Sequence, residues 1–157
     1  MTNRRALSAL LLLVVMLVPS HALAASSTQV NGGGRGTVDD GVTPFSQFGF
    51  GVSIAAGGSA QGHFTCLMAG SSLFPGFEPL MMVNGEVSSG TASTTAGTAR
   101  FFGSGTLNLG PSRTMPAVFR VDVTEGGAGV GTMTLSVLNL LFFLPTETVM
   151  HGRISIH

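Results

Sequence analysis

Ala117-Val118-Phe119-Arg120-Val121-Asp122-Val123-Thr124 leads into Glu125-Gly126-Gly127-Ala128-Gly129-Val130-Gly131 and then Thr132-Met133-Thr134-Leu135-Ser136-Val137. Ala117, Phe119, Val121 and Val123 alternate with Val118, Arg120, Asp122 and Thr124. Met133, Leu135 and Val137 alternate with Thr132, Thr134 and Ser136. A period of two puts one apolar and one polar face on each segment, which is the strand signal. The glycine-dense run between them is a strand-to-strand turn. A phosphate-binding loop would instead open a helix, and a P-loop would carry a lysine.

The same alternation recurs outward from this core. Phe48, Phe50, Val52 and Ile54 form one apolar face, and Met150, Gly152, Ile154 and Ile156 are assigned to another. Weaker strands are expected near Gly62–Met68, Leu80–Val87, Thr98–Phe102 and Thr106–Leu109. Asn84-Gly85 reads as a hairpin dipeptide, and Gly57-Gly58 and Gly110-Pro111-Ser112 as further turns. No sustained 3.6-residue period appears beyond residue 24. The expected fold is all-β, an antiparallel sandwich or flattened barrel of about eight strands.

The amino-terminal end reads as an export address. Arg4 and Arg5 precede an apolar run from Ala6 to Val18, and Ala22-Leu23-Ala24 supplies a small-x-small site. Thirteen residues span roughly 20 Å as a helix, short of the roughly 30 Å hydrocarbon core. Residues 1–24 are therefore assigned to a signal peptide of Sec type cut after Ala24, with no integral membrane span afterwards. The destination is secreted or periplasmic. Residues 25–36 are assigned to a flexible leader, with Gly32-Gly33-Gly34 either a hinge or the close packing of a first strand. Residues 37–157 form a single β domain.

Charge excludes some partners. Beyond residue 24 there are five arginines, no lysine and seven carboxylates. A nucleic-acid binder needs a basic patch for phosphates, so nucleic acid is not an expected partner. Cys66 is the sole cysteine, which rules out an internal disulfide framework and fits a small buried apolar residue.

No catalytic, cofactor-binding or metal-binding set is assigned. His63 and Cys66 differ by three positions and so face opposite ways in one strand. His151 and His157 lie roughly 20 Å apart along a strand, too far for one ion. Asp39-Asp40-Gly41 reads as a solvated turn. Glu78, Glu86, Asp122 and Glu147 could supply carboxylate pairs, but nothing in their spacing selects two. Asp122 beside Arg120 reads as a surface ion pair. All eleven aromatic residues are Phe, which favours core packing over the Trp or Tyr platforms common in sugar binding.

Two segments break the pattern. Ala69–Pro79 is a long loop carrying Phe74 and Phe77. Leu138-Asn139-Leu140-Leu141-Phe142-Phe143-Leu144-Pro145 is nearly all apolar. It is expected to be a strand buried on both faces or a loop folded over a barrel end. The functional alternative makes Leu140, Leu141, Phe142, Phe143 and Leu144 an apolar contact for a partner or lipid.

The chain resembles a group of small secreted bacterial β domains, found alone or at the C-terminal end of large surface proteins. The strings that carry the likeness are Val30–Gly34, Phe45–Ile54, Gly62-His63-Phe64, Phe102–Asn108, Phe119–Thr124 and Gly152-Arg153-Ile154-Ser155-Ile156-His157. The family's glycine turn is acidic and contains a proline. Glu125–Gly131 lacks the proline, and Met133 stands where a further Asp is usual, so no ion-linked role transfers to this turn. The resemblance implies an all-β extracellular module and supplies no catalytic residues.

The expected function is a non-catalytic exported module, structural or contact-mediating at the cell surface, with a protein partner or self-association. A binder of a small apolar ligand or lipid in a barrel cavity is the first alternative. An enzyme with dispersed residues, such as His63 with a distant carboxylate, is the second. No cofactor is expected.

Overall fold

The computed structural model describes residues 26–38, 45–69, 80–110 and 113–157. The assigned signal peptide, Asp39-Asp40-Gly41, Pro111-Ser112, and the Phe74, Phe77 and Glu78 loop lie outside them. The described chain is almost entirely strand: β1 (Ser27–Thr37), β2 (Ser46–Ala55), β3 (Ser59–Ala69), β4 (Leu80–Ser93), β5 (Thr98–Leu109), β6 (Thr114–Thr124), β7 (Thr132–Val137), β8 (Phe142–Phe143) and β9 (Glu147–Ile156). Each strand from β1 to β7 pairs antiparallel with the next, β7 pairs with β8 and β9, and β9 pairs with β1. The sheet thus closes on itself, which satisfies the flattened-barrel form of the expected all-β fold.

One packing rule organises the interior. Five core phenylalanines each face a glycine across the ladder. Phe50 pairs with Gly32 and Phe48 with Gly34. Phe64 pairs with Gly85, Phe101 with Gly90, and Phe119 with Gly103. A barrel of about eight strands has an interior just wide enough for side chains to fill. Large rings fit there only where the opposing residue has none. A Cβ at Gly32 would collide with the Phe50 ring, and one at Gly103 would stand 2.5 Å from that of Phe119. Phe50, Phe64, Phe101 and Phe119 meet at centroid separations of 5.3 to 6.4 Å, within the favourable range for aromatic pairs.

This rule corrects several expectations. Residues 25–36 are not a leader, because Ser27–Thr37 is a strand hydrogen-bonded on both sides. Of the two readings of Gly32-Gly33-Gly34, the close packing of a first strand holds: Gly32 and Gly34 make room for Phe50 and Phe48. Asn84-Gly85 is not a hairpin, since it lies inside β4, where Gly85 faces Phe64. The two short strands predicted over 98–109 are one strand, with Gly103-Ser104-Gly105 in its middle. Near the carboxyl terminus the expected phase is shifted. Arg35 pairs with His151 and Gly36 with Val149, so Met150 is the extra residue of a bulge. Val149, Ile154 and Ile156 are buried, and Met150 is only partly so.

The glycine turn does more than reverse the chain. Gly126 exchanges hydrogen bonds with Ile154, at 3.0 and 2.8 Å. Gly129 N–H donates to the Val149 carbonyl, and Val149 N–H donates to the Gly131 carbonyl. The turn therefore pairs with the part of β9 that β7 is too short to reach.

Candidate functional site

The Leu138–Pro145 segment is neither a doubly buried strand nor a cover over the barrel. Val137 pairs with Phe142, so 138–141 is the tip of a hairpin between β7 and β8. Leu138–Leu140 forms a single 3-10 turn, closed by Leu141 N–H donating to the Leu138 carbonyl at 3.2 Å. Leu141 takes the left-handed conformation, with φ of 53°. Asn139 anchors the tip. Its Oδ1 accepts from Val118 N–H at 2.8 Å, and its Nδ2 donates to the Pro116 carbonyl at 3.0 Å. The side-chain amide thus occupies the edge of β6 where β7 has ended.

The five predicted contact residues divide between inside and outside. Leu144 is buried and Phe142 packs partly against the core. Leu140, Leu141 and Phe143 are exposed, at 41%, 79% and 59%. Val118 on neighbouring β6 is exposed as well. Alternation failed as a guide here because a hairpin tip obeys turn chemistry, not strand period.

A second cluster lies inside. Glu147 opens β9 and is only 1% exposed. Ser46 Oγ, at the start of β2, donates to its Oε2. Gly36 of β1 makes the space, since a Cβ there would sit 2.9 Å from Glu147 Cβ. Burial raises the carboxyl pKa from 4.5 to about 7, partly offset by the Ser46 hydroxyl. Cys66 of β3 is fully buried, and burial followed by the Glu147 charge pushes its thiol well above the usual range. Such a thiol is a poor nucleophile. The sequence treats Glu147 as one carboxylate among several. The Met150 bulge, which reverses the strand's phase and carries Glu147 inward, leaves no signature in composition.

Outside, His63 is half-exposed with its Nδ1 2.9 Å from Glu86 Oε1. His63 and Cys66 do face opposite ways. Asp122 Oδ2 lies 2.9 Å from Arg120 Nε, so the expected pair is close in space, but that Nε is buried and has no hydrogen-bond partner. Arg100 of β5 adds a bond to Asp122 Oδ1 that only the strand register reveals. Among the described residues, no three His, Cys, Asp or Glu side chains come together as a metal site would require. Among them too, no helix is long and apolar enough to cross a membrane.

Comparison with protein-family models, with curated proteins and with solved structures returns no match in any of the three.

Proposed function

We propose that this chain is an exported, non-catalytic barrel module that makes protein contacts at the cell surface, and that its contact element is the β7–β8 hairpin tip. One observation carries this. Leu141 is 79% exposed at a positive φ, a position that Gly or Asn fills at little cost. An L-residue such as Leu pays roughly 1–2 kcal/mol there. Exposure returns nothing to folding, so the side chain is best explained by a contact outside this chain. Leu140 and Phe143 extend the same apolar surface.

The polar clusters give less support to catalysis. Ser46, Glu147 and Cys66 are enclosed, and the described residues place no histidine in hydrogen-bond reach of them. The apolar-ligand alternative needs interior room, but the phenylalanine cluster fills the middle of the barrel.

The test is co-sedimentation of the chain from residue 25 onward with washed envelopes of its own host. The wild-type chain should sediment, and the Leu140→Ser, Leu141→Asn, Phe143→Ser triple variant should stay in solution with its thermal unfolding retained. If both remain in solution, the contact function is wrong. If both sediment equally, the tip is not the contact.

A further inference from the structure

We propose that the outer face of β4–β7 binds an acidic saccharide, a chain of uronate-type sugars, at a site separate from the hairpin tip. A groove of about 550 Å³ crosses this face. That volume is within the range of ordinary small-ligand sites. Its chemistry is unusually uniform. Thr91, Ser93, Thr98, Thr124, Thr132 and Thr134 supply hydroxyls, while Arg100 and Asp122 supply charge.

The backbone of this face is already committed. The ladders join Thr91 to Arg100, Arg100 to Asp122 and Asp122 to Thr134, and the next row joins Ser93, Thr98, Thr124 and Thr132. A peptide adding as a strand would find no free edge there. Recognition must come from side chains. A hydroxyl both donates and accepts, which matches the hydroxyls of a sugar ring. Threonine methyl groups, with half-buried Ala92, offer apolar contact for the C–H face of the same ring.

The charged centre sets the sign of the ligand. Arg100 Nε donates to Asp122 Oδ1, and Arg120 Nε lies 2.9 Å from Asp122 Oδ2 without a hydrogen bond to it. Two guanidinium groups against one carboxylate leave a local excess of one positive charge, in a chain whose carboxylates outnumber its arginines beyond residue 24. The hydrogen bond to Asp122 fixes the Arg100 guanidinium plane. Arg100 remains about half exposed and keeps further N–H donors on its two Nη atoms for a bidentate bond to an incoming carboxylate. With no Trp or Tyr in the chain, ring stacking does not add to affinity, so binding depends on this charge.

The experiment is an NMR titration of the chain from residue 25 onward with a galacturonate hexamer. Maltohexaose and a glutamate hexapeptide serve as neutral and acidic controls. Saturable shifts are expected at Arg100, Thr98, Thr124 and Thr132 with the uronate, and none with maltohexaose. Arg100→Gln should weaken binding about tenfold, the worth of one charge-assisted bond. Thr98→Val, a second exposed change, should also weaken it. The triple tip variant should bind the uronate normally, so loss of one function leaves the other measurable. Absence of saturable shifts up to about 10 mM overturns the site, because that ceiling is already weaker than a single well-placed ion pair supports. Equal response to the peptide, or binding unchanged in Arg100→Gln, overturns it as well.

Discussion

Glu147 shows how one residue can tie the stability of the barrel to pH. Its folded pKa, about 7, stands above the ordinary 4.5 because the carboxyl is buried. The folded state therefore holds its proton over a range where the unfolded chain has released it. Stability from this group is complete below pH 4.5 and is lost as pH rises through about 7. The full swing is about 3 kcal/mol. Urea unfolding of the wild type should show this decline between pH 5 and pH 8, and Glu147→Gln should flatten it while keeping an acceptor for Ser46. A wild-type stability that rises across that interval would contradict the assignment. Leu141 offers the opposite case, a residue that folding does not favour. Leu141→Asn should raise stability by about 1 kcal/mol in thermal or urea unfolding, through relief of the left-handed backbone. Glycines split by what faces them. Gly103→Ala drives a methyl into the Phe119 ring and should cost about 1–3 kcal/mol or more. Gly57→Ala has nothing within 4 Å and should change stability by less than about 0.5 kcal/mol.

Among the elements, the strands with strict alternation were fully legible and the glycine-rich ones only in part, their existence readable but not their extent or their joining. The apolar faces of β2, β6 and β7 were readable directly, because Phe48 to Ile54, Ala117 to Val123 and Met133 to Val137 are buried as their period demands. In β1, β4 and β5 the information is shared between chains of the ladder. Gly32 reads equally as hinge or packed strand until Phe50 is known to lie across from it, and Gly85 resembles a turn until Phe64 is placed beside it. Single-segment rules treat glycine as punctuation, while here it is the small half of a packed pair. The hairpin tip was half legible. Its apolar composition flagged it, but turn geometry and the outward aim of Leu140, Leu141 and Phe143 depend on where β7 ends. Asn139 is the residue that makes that early ending tolerable, since it occupies an edge that would otherwise invite pairing with another chain. Asn139→Ala should cost about 1 kcal/mol and raise concentration-dependent association in sedimentation velocity. Unchanged association would mean the edge is protected some other way.

Taken whole, the described residues form a closed sheet. The β7–β8 tip stands at the end where β6 begins. The glycine turn carrying exposed Val130 follows the other end of β6. Closure removes most free edges, leaving side chains as the means of contact, and among the described residues the large apolar side chains most exposed to solvent are Leu141, Val130 and Phe143. The proposed contact function predicts that these positions are not equivalent. The direct test is a photo-crosslinking residue placed at 141 or at 130 in the chain expressed in its own host. A discrete protein adduct should form from 141, vanish when Leu140 and Phe143 are both changed to Ser, and be absent from 130. No adduct from 141, or the same adducts from both positions, would contradict a contact made through the tip.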